Sequence, residues 1–408
     1  MLMLLLRVFT RALAAVSVLL AATSAPAGHL HLVHASITNL ADVFNSTSGY
    51  GDNPLSMAFD GTNAYVGGFN VTGTMAGVVK VENVVGGGVL AKTPLSATQF
   101  TSPISRGIDA LAYQGGSLFM AHDSGSAASS FISRRQASDG ALTWQVNSPQ
   151  ASRPFAMAVD PVGNAGNPGV AFLVQGSGRR RLLSLDTGAT VFDGSNGGII
   201  NSTPTAFGTA WRAIAFDSSG NIAISEDSGY QYGNRVGANQ WQALNGTLNA
   251  TTSSVAKNVA ANLVGQGIAI LEGLGPSENS LLAFSGRNMT SLTDSQGGMT
   301  AVSDGNVHIR NLNGSVTDLT QIVLTGAEPI NGVAQPAWTD VDANSDTRNL
   351  AVGIDGDGRT VLLVVDFLSR RLDVYIAVPE PSSVLLLAAS TLLVGGFRRE
   401  ARRRPHEC

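Results

Sequence analysis

Short apolar stretches broken by Gly, Asp, Asn and Ser recur along the middle of the chain, and each is followed almost at once by another. Asn53-Pro-Leu-Ser-Met-Ala-Phe-Asp60 turns at Gly61 into Ala64-Tyr-Val-Gly-Gly68. Arg106-Gly-Ile-Asp-Ala-Leu-Ala-Tyr113 turns at Gly115-Gly116 into Ser117-Leu-Phe-Met-Ala121. Arg153-Pro-Phe-Ala-Met-Ala-Val-Asp160 leads to Val170-Ala-Phe-Leu-Val174, and Trp211-Arg-Ala-Ile-Ala-Phe-Asp217 leads through Ser218-Ser-Gly-Asn221 to Ile222-Ala-Ile-Ser225. A fifth, weaker copy is Gly267-Ile-Ala-Ile-Leu271 with Ser280-Leu-Leu-Ala-Phe284. The alanine ahead of the last apolar residue falls at 58, 112, 158, 215 and 269, in steps of 54, 46, 57 and 54. Two degenerate copies follow, Met299–Val302 with Asn306–Ile309, and Trp338–Asp342 with Asn349–Val352.

Two short apolar runs joined by turn residues are the pattern of a β-hairpin. One hairpin is marginal in water, so successive units must pack on one another. A period near 50 residues matches a four-stranded propeller blade, the remaining residues of each unit supplying two outer strands such as Arg181–Asp186 and Ala189–Phe192. The spacing predicts first strands near 55–59, 109–113, 155–159, 212–216 and 267–271, with alanines suiting the crowded axis. Closure of the ring would pair Ser36–Leu40 with Leu372–Ile376, which leaves no free edge between the first and last blades. The expected fold is all-β, a six- or seven-bladed β-propeller body with an N-terminal signal helix and a C-terminal transmembrane helix. A β-sandwich would need no such repeat, and a β-helix would need a shorter one. Apolar-Ala-apolar-Asp followed by Gly, Asn and an aliphatic pair resembles NHL-type and related extracellular propellers.

The two ends follow a different pattern. Arg7 and Arg11 precede an uncharged run from Ala12 to Ala22, and Ala25-Pro26-Ala27 fits a cleavage site, as in a secretory signal peptide. That run has 11 residues, against the roughly 20 needed to cross a bilayer. At the other end Pro379-Glu380-Pro381 is followed by the uncharged segment Val384–Phe397 and then Arg398, Arg399, Arg402, Arg403 and Arg404. Basic residues directly after an apolar segment stay cytoplasmic, so the body would lie outside the cell. This ordered triplet, apolar helix and arginine cluster resembles the PEP-CTERM sorting signal of exosortase substrates. The resemblance covers about 30 residues and implies the triplet as sorting motif, signal peptidase and exosortase as processing partners, and transient anchoring before release to the cell surface or extracellular matrix. The chain thus divides into a leader (1–27), an exported body (28–378) and a sorting tail (379–408).

Composition narrows the chemistry. The only cysteine is Cys408, so the body holds together without disulfides and has no Cys nucleophile or Cys-ligated zinc. Without the two basic residues of the leader, and the five basic and three acidic residues of the tail, the body has 18 basic and 26 acidic residues, net −8. That balance argues against nucleic acid as a partner, and Arg179-Arg180-Arg181 reads as a solvated turn. Low charge and abundant Asn, Ser and Thr suit hydrogen bonding to extracellular polysaccharide.

Candidate sites are few. Asp340, Asp342, Asn344 and Asp346 place oxygen ligands at alternate positions, as a calcium loop does, with Asp355 and Asp357 nearby. The loop lacks the glycine and the bidentate glutamate of an EF-hand, Ser345 and Ala351 standing there instead, and calcium is the one cofactor the body suggests. His29, His31 and His34 lie near the mature N-terminus and read as solvated residues of a closing strand. Asp60, Asp160 and Asp217 recur as structural features do and are expected to cap turns. Glu226, Asp227, Glu272 and His122 follow the paired strands and are the first candidates for a site at the axis. They would serve a metal-dependent hydrolase or lyase of the gluconolactonase type, the alternative to a non-catalytic binding or structural module. Seven Asn-x-Ser/Thr triplets in the body (Asn45, Asn70, Asn201, Asn245, Asn249, Asn288, Asn313) read as composition. No G-x-S-x-G elbow, P-loop, H-E-x-x-H or paired-Cys motif occurs.

Overall fold

A computed structural model describes residues 31–378 apart from 72–74, 87–88, 102–105, 125–128, 148–153, 165, 175–178, 196–198, 201–210, 227–228, 244–264, 275–279, 287–306, 313–322 and 326–346. The leader and the sorting tail lie outside these residues, so the two terminal helices expected from the sequence do too.

The first strand, β1 (His31–Asn39), stands apart from the repeats. Blade one comprises β2 (Asn53–Phe59), β3 (Ala64–Phe69), β4 (Met75–Val81) and β5 (Lys92–Thr101). Blade two has β6 (Ile108–Gln114), β7 (Ser117–His122), β8 (Phe131–Gln136) and β9 (Leu142–Asn147). Blade three has β10 (Pro154–Asn164), β11 (Asn167–Val174), β12 (Arg179–Ser184) and β13 (Thr190–Ser195). In blade four the short β14 (Ile199–Ile200) lies outside β15 (Trp211–Phe216), β16 (Ile222–Glu226), β17 (Gly229–Gly237) and β18 (Gln240–Ala243), parallel to β18. A three-stranded sheet follows, of β19 (Gly265–Leu271), β20 (Leu281–Gly286) and β21 (Val307–Asn311). The closing sheet takes β22 (Val323–Thr325), β23 (Thr347–Ile354), β24 (Thr360–Asp366) and β25 (Arg371–Val378), and inserts β1 between β22 and β25.

The edge strands β2, β6, β10, β15, β19 and β23 touch one another in that order, and β23 returns to β2. The sheets therefore stand around one axis. Period-two alternation explains why. In β2, Met57 and Phe59 enter the core shared with the closing sheet, while Ala58 between them enters the core shared with blade two. In β6, Leu111 faces blade one while Ala110 and Ala112 face blade three. Six separate cores result, one per junction, the others joining blades three and four, blade four and the three-stranded sheet, and that sheet and the closing sheet. A strand buried on both faces reads as a nearly continuous apolar run, which is what the repeats show. Each fully buried Val, Leu or Phe contributes about 1.5–3 kcal/mol, so the junctions carry the fold.

The fold is an all-β propeller. Where six or seven blades were expected, five sheets are complete, with four or five strands, and a three-stranded sheet fills the remaining sector among the described residues. The expected first strands are β2, β6, β10, β15 and β19. The two degenerate copies are corrected. Val307–Asn311 is the third strand of the β19 sheet, not part of a new blade. Asn349–Val352 lies in β23, the first strand of the closing sheet rather than the second strand of a hairpin, and it pairs with β24.

Ring closure pairs the two ends of the body. Ser36 lies opposite Val374, Ile37 opposite Asp373 and Thr38 opposite Leu372, as the alternation of both segments predicts. Gly68 marks where the chain must pass without a side chain: a Cβ there would stand 1.7 Å from the Tyr50 carbonyl oxygen.

Candidate functional site

A propeller offers two ends to a ligand. At the turn end lie the hairpins that join the first and second strands of each sheet. At the loop end the second strands finish and the connections between sheets run.

The turn end is organised by aspartates. Asp60 Oδ1 accepts the Thr62 and Asn63 amides at 2.8 and 2.6 Å, and its Oδ2 accepts the Tyr65 hydroxyl at 2.9 Å. Asp217 Oδ1 accepts the Ser219 and Asn221 amides at 3.0 and 2.8 Å. Asp160 Oδ1 accepts the Val162 and Gly163 amides, and both its oxygens accept Arg235 Nη2 at 2.6 Å. Arg235 also lies over the Trp241 ring, 4.6 Å from its centroid, so this buried pair ties blade three to blade four. All three aspartates cap turns, as their repetition suggests, and Asp355 repeats the motif, accepting the Asp357 and Arg359 amides. Burial works to raise the Asp60 carboxyl, but the donors from Asn63, Thr62 and Tyr65 outweigh it and hold the group below the usual carboxylate range. Asp355 is likewise held low against desolvation, by Arg359 and the turn amides. Tyr65 and Tyr232 are raised by burial and then by the neighbouring Asp60 and Asp217.

Asp355 and Asp357, which stand near the expected calcium loop, both pair with Arg359, at 2.8 and 2.9 Å. Asp340, Asp342, Asn344 and Asp346 lie outside the described residues, as do His29, Asp227, Pro379, Glu380, Pro381 and the five tail arginines. Among the described residues no group of three or more His, Cys, Asp or Glu side chains is placed to hold a metal.

Of the axial candidates with described side chains, Glu272 and His122 lie at different ends of the propeller. Glu272 follows β19 at the turn end, where its carboxylate accepts the Ser218 amide and hydroxyl, each at 2.6 Å. His122 ends β7 at the loop end, opposite Ile108, and Glu226 ends β16 opposite Trp211 in another blade. His122 is not at an open site. It is fully buried, stacked 4.0 Å from Phe131 and edge-on to Phe100, with Nε2 2.8 Å from Ser133 Oγ. Desolvation, reinforced by the Arg135 charge, holds it neutral, well below the usual histidine range. Among the described residues its Nδ1 has no hydrogen-bond partner.

His34 is also buried rather than solvated as expected. Its Nε2 lies 3.1 Å from Asp373 Oδ1, Asp373 Oδ2 accepts Arg371 Nε at 2.7 Å, and the ring stacks on Tyr375. His31 pairs with Val378 across the closure. Arg181 is buried, not in a solvated turn. The sequence reading missed Asp373 and Arg235. An acidic residue alternating with apolar ones in Leu372-Asp-Val-Tyr-Ile376 was a visible sign of a buried partner; nothing local marked Arg235.

No family model matches the chain, and no curated protein sequence does. Solved propellers are similar in fold. The β-propeller domain of Cps50 (Swd1) from Myceliophteria thermophila shares 12% identity over 80% of this chain and 96% of that one, with a TM-score of 0.43. An auxiliary nutrient binding protein from Bacteroides thetaiotaomicron shares 12% over 80% and 69%, with a TM-score of 0.44. BamB from Moraxella catarrhalis shares 12% over 79% and 82%, with a TM-score of 0.33. At these identities the likeness concerns the fold alone.

Proposed function

We propose that the chain is an exported bacterial surface protein, sorted by an exosortase through Pro379-Glu380-Pro381, whose propeller body is a non-catalytic binding or structural module of the extracellular matrix. The ordered tail, with its triplet, apolar segment and arginine cluster, carries the sorting part of this reading. For the body, the supporting observation is that two of the groups singled out as an axial site, Glu272 and His122, are taken up by the fold at opposite ends of the propeller. Glu272 caps a neighbouring turn, and His122 sits neutral between aromatic rings. Catalysis needs a converging set of such groups. The partners in this reading are signal peptidase and exosortase during processing, the membrane before cleavage, and extracellular polysaccharide afterwards. Any calcium would be held by Asp340, Asp342, Asn344 and Asp346.

Intact mass of the native surface protein tests the sorting part. The expected mass lacks the first ~27 residues and everything after Pro381, and a mass retaining Cys408 means a permanent anchor instead. Metal analysis and co-sedimentation with extracted extracellular polysaccharide test the body. Polysaccharide binding without a metal at the axis is expected; a stoichiometric divalent ion bound there through Glu226, Asp227 or Glu272 would instead favour the hydrolase.

A further inference from the structure

Both ends of the body leave the propeller on one side, and this has a consequence for how it is presented while anchored. In the closing sheet, His31 at the start of β1 lies opposite Val378 at the end of β25. Ile376 near that end lies opposite Val361, just after the Asp355–Arg359 turn. The chain therefore exits at the turn end, beside the hairpins of Asp60, Asp160, Asp217 and Asp355. The opposite end of β25 begins at Arg371, next to the turn that carries Leu368 at the loop end.

The tether is short. Val378 is the last residue of β25, and the apolar segment begins at Val384 after only Pro379, Glu380, Pro381, Ser382 and Ser383. Fully extended, five residues reach roughly 17 Å. The strand they hang from cannot lengthen that reach by peeling away. β25 is paired on both sides, with β1 and β24, and Leu372, Val374, Tyr375 and Ile376 are buried. A body tens of ångströms across, held by so short a leash from one end, has little freedom to roll over.

We infer that the anchored propeller stands with its turn end toward the lipid surface and its loop end toward the cell exterior, so that the loop end is the surface offered to extracellular partners before release. The inference rests on the proposed reading of the tail as a membrane anchor. It assigns the exposed apolar side chains Val71 and Leu368, 46% and 48% exposed, to the outward surface. They lie near the edge-to-face pair of Phe69 and Phe367, and Phe367 accepts Asn53 Nδ2 through its carbonyl.

The cysteine-free body makes the test direct. In the full chain with Cys408→Ser, single cysteines are introduced at the turn end (Thr62→Cys, Gln114→Cys) or the loop end (Val71→Cys, Leu368→Cys). Each is labelled with bimane, and the protein is reconstituted into phosphatidylethanolamine–phosphatidylglycerol vesicles containing lipids with nitroxide-labelled headgroups. Severalfold stronger quenching at both turn-end sites than at both loop-end sites is expected. Equal or reversed quenching in vesicle-bound protein overturns the orientation and leaves the anchor standing. Failure of the chain to float with vesicles overturns the anchor reading itself, and the orientation with it. A chain with a flexible Gly/Ser segment inserted after Val378 should lose the difference; if it keeps it, the short tether is not what orients the body.

Discussion

Two sheets of this propeller each bury a histidine, and they treat it in opposite ways. In the closing sheet, assembled from both ends of the body, His34 faces Asp373, which also accepts Arg371. In blade two, built from one continuous stretch, His122 meets a serine hydroxyl and two phenylalanine rings, and the charge acting on it is that of a cation, Arg135. The closure joins residues 339 apart in sequence and is reinforced by polar contacts whose partners are present only when the ring is shut. Blade two needs no such partner, because its strands find each other locally. Sequence distance, not residue type, separates the two environments.

The largest expected effect comes from removing one side of the closure. A body lacking residues 31–39 exposes the whole edge of β25 and part of the closing sheet's buried face. It should lose its cooperative urea transition and aggregate, whereas cutting the loop between blades one and two should leave the transition recognisable. A single cooperative transition in the truncated body would mean that β1 is dispensable.

Next comes the junction of blades three and four. Asp160→Ala leaves the Arg235 guanidinium without its carboxylate and should cost about 3–5 kcal/mol by chemical denaturation. Asp60→Ala, at a turn with no ion pair to it among the described residues, should cost less, about 1–2 kcal/mol. Equal costs would show that the ion pair adds nothing beyond the turn cap.

The two histidines differ in pH response. The folded-state pKa of His122 lies below its unfolded value, so the unfolded chain binds a proton that the folded chain refuses. The stability this protects is present above about pH 6.5 and is lost as pH falls, at up to ~1.4 kcal/mol per pH unit. His122→Gln should be less stable at neutral pH and show a flatter decline toward pH ~5.5 than the parent protein. An unchanged slope would place the acid sensitivity elsewhere. The low carboxyls of Asp60 and Asp355 act further down, their contribution present above the ordinary carboxylate range and lost as pH falls through their folded values. Asp355→Asn should blunt that late loss by a smaller amount.

Much of the architecture was legible because it is repetitive and local. An inner strand buried on both faces must be apolar throughout, so Met57-Ala-Phe59 and Ile214-Ala-Phe216 stand out, and the Asp and Gly after them announce the turn. The closure was legible for the same reason, since Ser36–Leu40 and Leu372–Ile376 alternate in step. The last first strand was misplaced because the segment before it breaks the period: Ala351 follows Ala269 by 82 residues, not about 54. The candidate site was much less legible. Position after a first or a second strand says at which end of the propeller a side chain lies, but not whether it is buried or what it meets there. The aromatic cage of His122 draws on Phe100 from the neighbouring blade, a contact no local pattern encodes. The Asp160–Arg235 pair, 75 residues apart, is of the same kind.

Amide hydrogen exchange on the body bears most directly on the claim that one chain end locks the other. Shared closure predicts that the β1 amides between Leu32 and Thr38 and the β25 amides between Leu372 and Ile376 exchange at a common slow rate, close to that of β24. Fast exchange in β1 beside slow exchange in β24 would contradict it, showing a ring that holds without its first strand.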